Sequence, residues 1–107
     1  MIIKNLSQLK KVLTAGAEFE ITGHARPECI GQRRRVNLAN TQGFYSIIPD
    51  EPTSRVSTAN CGKGSWLGWS KAPFWNFDGD TAVLYDSDEE HTEAHLIIKI
   101  KVLEATA

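Results

Sequence analysis

The chain has 107 residues, of which 41% are hydrophobic and 23% are charged, and its formal net charge at pH 7 is −1. This length predicts a single domain, residues 1–107, with one core, and the near-neutral charge argues against a protein that binds nucleic acid indiscriminately. Because no apolar run is long enough for a signal peptide or a membrane span, we expect an intracellular protein with no membrane partner.

The first 17 residues predict one clear helix. Apolar side chains recur on one helical face, at Leu6, Leu9, Val12 and Leu13. Either Asn5 or Ser7 is placed to cap the first turn. We therefore assign residues 1–17 to an N-terminal helix.

From residue 18 onward the hydrophobic period changes from about 3.6 to 2, which is typical of β-strands. Strand-like segments separated by turn residues occur at 18–24, 34–40, 43–49, 55–60, 65–70, 74–78, 81–85 and 94–103. The Asp78-Gly79 pair predicts a hairpin turn between two of them.

These patterns predict an α+β domain that is mostly β, with an N-terminal helix followed by about seven short antiparallel strands. The strands would form a strongly bent sheet or a small, partly open barrel over residues 18–85. Residues 86–93 would form an acidic loop and 94–104 a C-terminal strand. In the barrel version, the helix and this last strand cover an edge that otherwise stays unpaired.

The segment NCGKGSWLGWSK, residues 60–71, joins a glycine-flanked lysine to two tryptophans. It is not a phosphate-binding loop, because the required glycine spacing is absent and a strand follows instead of a helix. We predict a hairpin loop that exposes Lys63. Trp66 and Trp69 are three residues apart, so on a strand they lie on opposite faces, one in the core and one available to a ligand or partner. Lys71 would lie nearby.

A second cluster, HARPECIGQRRRV, spans residues 24–36. Strand alternation places Arg33 and Arg35 on one face and Arg34 on the other. Guanidinium groups suit phosphate or carboxylate ligands, although an ordinary solvated strand is an equal alternative. The predicted ligand- or partner-binding residues are Arg26, Arg33, Arg35, Tyr45, Lys63, Trp66, Trp69 and Lys71.

Charge is unevenly distributed along the chain. Residues 24–71 contain seven basic and three acidic side chains, whereas residues 72–95 contain seven acidic ones and no Lys or Arg. Such a division favours a charged partner or self-association, and the alternative is two solvated surfaces that neutralise each other. The predicted acidic partner surface consists of Asp78, Asp80, Asp86, Asp88, Glu89 and Glu90.

The reactive side chains do not form an enzyme signature. His24 and Cys29 are close enough in sequence for a thiol–imidazole pair, but no third orienting group is evident. A zinc site built from Cys29, Cys61 and a histidine is a further alternative, while the HTEAH spacing of His91 and His95 lacks the HExxH order. We expect two free thiols, with a disulfide or a shared metal site as the alternatives, and we expect no catalytic residue, no metal and no cofactor.

Several stretches together, NLSQLKK, RPECIGQ-x-R-x-V, TQGFYS and NCGKGSW, resemble a group of small proteins from bacteriophages and mobile elements of Gram-positive gut bacteria. The resemblance covers most of the chain and implies a phage protein in the cytoplasm of its bacterial host. Small non-enzymatic proteins from this setting often inhibit host defence, as anti-CRISPR proteins do.

The resemblance and the charge pattern together favour a non-enzymatic inhibitor of a bacterial defence system. In one mode the acidic segment mimics nucleic acid and binds a defence protein. In the other, an oligomer sequesters a small nucleotide between an aromatic ring and Arg26, Arg33 and Arg35. The competing hypothesis is a small nucleic-acid-binding barrel that uses the arginine cluster and an exposed tryptophan.

Overall fold

The computed structural model describes residues 2–48 and 64–103. Helix α1 spans Leu6–Val12 and precedes seven strands: β1 Glu18–His24, β2 Arg33–Ala39, β3 Gly43–Ile47, β4 Gly64–Gly68, β5 Trp75–Asp78, β6 Thr81–Tyr85 and β7 Leu96–Leu103. All neighbouring strands are antiparallel, in one sheet of order β4-β3-β2-β1-β7-β6-β5. Over the described ranges this sheet is not closed, and the predicted fold class is confirmed. The strand predicted at 55–60 lies outside the described residues.

Helix α1 begins at a side-chain cap. The Asn5 Oδ1 accepts a hydrogen bond of 2.9 Å from the Gln8 backbone N–H, and the Gln8 Oε1 accepts one of 2.7 Å from the Lys4 N–H. Leu9 and Leu13 are fully buried. A helix of seven residues is not stable alone in water, so packing of this apolar face against the sheet holds it in place.

The core lies on one face of the sheet, which we call the core face; the opposite side is the outer face. Every second side chain of a strand points to the core face, as predicted for β7. The buried side chains of β7 are Leu96, Ile98, Ile100 and Val102. On β1, Phe19 and Ile21 point the same way, and the Phe19 ring meets Phe44 edge-on with 5.9 Å between centroids. Burying an aliphatic or aromatic side chain of this size contributes about 1.5–3 kcal/mol.

Three of the strand pairs contain an irregularity in register. These irregularities fall between Ile21 and Gly23 where β1 meets β7, between Val36 and Leu38 where β2 meets β3, and at Leu84 and Tyr85 where β6 meets β7. A bulge of this kind increases local twist and turns a strand. These three positions are therefore where the strands can turn and the sheet can bend.

The last strand is in the middle of the sheet. β7 pairs with β1 on one side and with β6 on the other. The barrel version of the prediction, in which residues 18–85 close and β7 covers an edge, is thus wrong in its placement of β7. The reason is hydrophobic content, because an eight-residue strand with four buried side chains gains most from neighbours on both sides. Within the described ranges, no helix is long and apolar enough to cross a membrane.

Candidate functional site

The two tryptophans of the 60–71 segment occupy opposite faces of the sheet, as predicted. Trp66 pairs in register with Tyr45 on the outer face, with 4.8 Å between their ring centroids. Trp69 follows β4 on the core face, where its ring packs on the buried Phe44 at a centroid distance of 5.0 Å. Its Nε1–H donates a 2.9 Å hydrogen bond to the Asn40 carbonyl oxygen. The Trp69 ring is therefore held at its edge and on one face.

The Trp69 ring forms one wall of an open groove between α1 and the connection from β2 to β3. The groove has a volume of about 360 Å³ and is lined by Lys10, Thr14, Ala39, Asn40, Thr41 and Trp69. The Lys10 ammonium nitrogen lies over Trp69, 5.8 Å from a ring centroid. A cation over an indole face is favoured by the ring quadrupole, which explains the position of this lysine.

The groove combines positive charge with hydrogen-bonding groups. In the part of the chain that the structure describes, no acidic residue lines the groove and Lys10 forms no ion pair. The Asn40 Oδ1 is used by the local turn, where it accepts from the backbone N–H groups of Gln42 and Gly43 at 2.8 and 3.1 Å. The Asn40 amide therefore has N–H donors, and not its acceptor oxygen, to offer a ligand.

Sequence reasoning missed the helix side of this groove. Lys10 lies in the last turn of α1 and Thr14 lies two residues beyond its end, and no local signal links either residue to Trp69. Lys71, the predicted cationic neighbour, is exposed at the turn before β5 and does not line the groove. Lys63 lies outside the described residues.

The three consecutive arginines alternate as predicted. Arg33 and Arg35 flank Glu18 across the strand pair, with N–O distances of 2.7 and 3.7 Å. Arg34 lies on the core face, fully buried, where its Nε and one terminal nitrogen donate to the Gln32 side chain at 3.1 and 2.6 Å. Burial lowers the pKa of Arg34 from its ordinary value, although a guanidinium stays charged at neutral pH.

The arginine cluster therefore does not form one binding surface. Arg34 points away from Arg33 and Arg35, and Glu18 supplies a carboxylate to both of those. Arg26 is exposed in the turn after β1, where its backbone N–H donates to the His24 Nδ1 at 2.9 Å. An anion would have to compete with Glu18 for the predicted guanidinium pair.

The acidic side chains lie on the connections before and after β6, along the β5–β6 edge of the sheet. Asp78 and Asp80 flank Gly79 in the hairpin turn, where Gly79 has a φ of +61°, the left-handed region that favours glycine. Asp88 and Glu89 are exposed in the following loop. Across the described ranges, Asp78, Asp88 and Glu89 form no ion pair, so their charge is available to a partner.

His95 ties part of this acidic loop to the sheet. Its Nδ1 is 2.7 Å from an Asp86 carboxylate oxygen, and its Nε2 is 2.7 Å from a Glu90 oxygen. The hydrogen bond with Asp86 is the main cause that raises the pKa of His95 above its ordinary value, and the charge of Glu90 adds to it. His91 stacks on Tyr85 with 4.5 Å between centroids, so the two histidines are engaged separately.

The oxidation state of Cys29 bears on the two alternatives that used its thiol, the thiol–imidazole pair and the zinc site. This side chain is fully buried and disulfide-bonded, so the expectation of a free thiol is wrong at Cys29. A thiol–imidazole pair with His24 has no thiol nucleophile in this state. Within the described ranges no three His, Cys, Asp or Glu side chains are grouped to hold a metal ion. Cys61, the other proposed zinc ligand, lies outside those ranges.

The chain matches no protein-family model, and comparison with curated proteins and with solved structures finds no similar protein.

Proposed function

We propose that the chain is a small non-enzymatic binding protein, encoded by a phage, that inhibits a bacterial defence system. Its partner is a defence protein with a basic nucleic-acid-binding surface. The observation that supports this proposal is the strand order, which puts β5, β6 and their loops at one end of the sheet. The six carboxylates on these connections, which we call the acidic end, form two groups along one edge of the sheet: Asp78 and Asp80 in the turn before β6, and Asp86, Asp88, Glu89 and Glu90 in the loop after it.

Within the acidic end, the loop after β6 is held by contacts of its own. His95 holds Asp86 and Glu90, and the Glu89 and Glu90 backbone N–H groups donate to the Ser87 hydroxyl at 3.3 and 3.0 Å. Because His95 already holds the Asp86 and Glu90 carboxylates, a partner does not have to fix these two groups itself. Charge of one sign on such a surface steers association with a basic protein and excludes acidic ones.

The nucleic-acid-binding alternative receives less support from the same geometry. Arg34 is buried on the core face, and Glu18 lies between Arg33 and Arg35. A phosphate backbone would meet two partly neutralised guanidinium groups and not three unpaired ones.

The test is capture of a partner from a host lysate with two variants of equal net charge. In the first, Asp78→Asn, Asp88→Asn and Glu89→Gln remove three negative charges from the acidic end. In the control, Ser7→Lys, Asn37→Lys and Gln42→Lys add three positive charges at exposed positions on α1 and around β2.

We expect the wild type and the control to capture a nucleic-acid-binding defence protein, and the first variant to lose affinity by about tenfold or more. Double-stranded DNA or RNA added in excess should release the captured protein, because both compete for one basic surface. Capture that is equal in the two variants, or that excess nucleic acid does not reverse, contradicts the proposal. So does the absence of any captured protein.

A further inference from the structure

We infer that the groove between α1 and the β2–β3 connection binds a nucleoside monophosphate, with the base against Trp69 and the phosphate at Lys10. The inference is independent of the acidic end, because β2 and β3 belong to the other half of the sheet from β5 and β6.

The aromatic wall of the groove is preorganised. Phe44 supports the Trp69 ring from the core, and the Asn40 carbonyl oxygen holds its Nε1–H at 2.9 Å. A base that stacks on this ring therefore meets a surface whose conformational entropy was lost on folding and not on binding. Stacking on an indole needs only a flat ring, so it accepts any of the bases.

The cation of the groove lies where a phosphate can use it. Lys10 is exposed in the last turn of α1, and its Nζ lies over the Trp69 ring, 5.8 Å from a ring centroid. The lysine stem is flexible, so a stacking base can displace the ammonium group from the ring while the attached phosphate pairs with it. A ligand that makes both contacts must carry the base and the phosphate in one molecule.

The size and polarity of the groove set the class of ligand. A volume of about 360 Å³ falls at the small end of ligand pockets, which span about 300–1,000 Å³. The Thr14 and Thr41 hydroxyls and the Asn40 amide can serve sugar hydroxyls or base edges. Among the described residues, one lysine lines the groove, whereas a nucleic-acid strand needs a groove with positive charge along its backbone.

The experiment is a calorimetric titration of the full chain with adenosine monophosphate, with adenosine alone and inorganic phosphate alone as separate probes. We expect saturable binding of the nucleotide and at least about tenfold weaker binding of either fragment, because each makes only one of the two contacts. Nucleotide binding that is no tighter than phosphate binding overturns the inference, as does the absence of saturable nucleotide binding.

Two pairs of variants locate the site. Lys10→Gln should weaken nucleotide binding by about tenfold, whereas Lys11→Gln, its exposed neighbour outside the groove, should change it by less than about twofold. Trp69→Phe should weaken it severalfold, and Trp66→Phe on the outer face should leave it unchanged. Equal effects of the two lysine variants overturn the inference even if the Trp69 variant fails to fold.

Discussion

The approach of β3 to β4 depends on one residue, Gly43. A Cβ atom built there would press against the Leu67 carbonyl oxygen and would lie 2.7 Å from a ring carbon of Trp66. Gly68 is the direct cross-strand partner of Gly43, but a Cβ on Gly68 meets its nearest atom, the Gln42 carbonyl oxygen, at 3.5 Å. The same strand pair therefore contains one glycine required by space and one that is not.

Gly43→Ala should lower the free energy of unfolding by about 1–3 kcal/mol, because backbone and an indole ring must move to admit one methyl group. Gly68→Ala should change it by less than about 0.5 kcal/mol. Urea denaturation of both variants beside the wild type measures the difference. Equal losses would contradict the difference in space between these two positions.

The loop that follows β6 is held in place by an ionisable group. His95 forms contacts of 2.7 Å with both Asp86 and Glu90, and its pKa in the folded protein is above the ordinary value of 6.5. A raised pKa means that the folded state binds the proton more tightly than the unfolded state. The stabilisation from His95 is therefore fully present below about pH 6.5 and is lost as the pH rises through the higher pKa of the folded state.

His95→Gln should therefore destabilise the protein more at about pH 5.5 than at about pH 8.5. Glu93→Gln is the matched control, because Glu93 lies 3.6 Å from Lys99 and is not among the His95 partners. That variant should keep the wild-type dependence on pH. Urea midpoints at the two pH values test the prediction, and a loss in His95→Gln that is the same at both would refute it.

At the scale of the whole molecule, the fold depends on joining the two ends of the chain. β1 near the N-terminus and β7 near the C-terminus pair over most of their length in the centre of the sheet. Ile100 lies in this seam, opposite Ile21 on β1 and Ala82 on β6, and it is fully buried. Pairing of such distant segments makes folding slow compared with a fold of local contacts.

Ile100→Ala should cost about 2–5 kcal/mol, since the emptied space is enclosed by strands on both sides. Ile97→Ala, in the same strand but only partly buried, should cost less than half as much. Denaturation curves of the two variants provide the comparison. If Ile97→Ala lowers the free energy of unfolding more than Ile100→Ala does, then Ile97 and not Ile100 points into the core.

Local periodicity was sufficient to predict the helix, most strand positions and the side on which individual residues lie. The alternation of Arg33, Arg34 and Arg35, and the separation of Trp66 from Trp69, follow from the two-residue period alone. Strand order was not predictable in this way. The pairing of β7 with β1 joins segments far apart in sequence and depends on how the whole core packs. The groove was missed for the same reason, since Lys10 and Trp69 are brought together only by the fold.

The strand order also determines the electrostatic potential that another protein meets as it approaches. From β2, with its arginines, to β5 there are four strand spacings of about 4.8 Å, or about 19 Å along the sheet. The Debye length at physiological ionic strength is about 8 Å, so the charges on β2 and those beside β5 are largely screened from each other. An approaching protein therefore responds to the charges nearest to it and not to the net charge of −1. Encounters are oriented before contact, and added salt should act mainly on the rate of association.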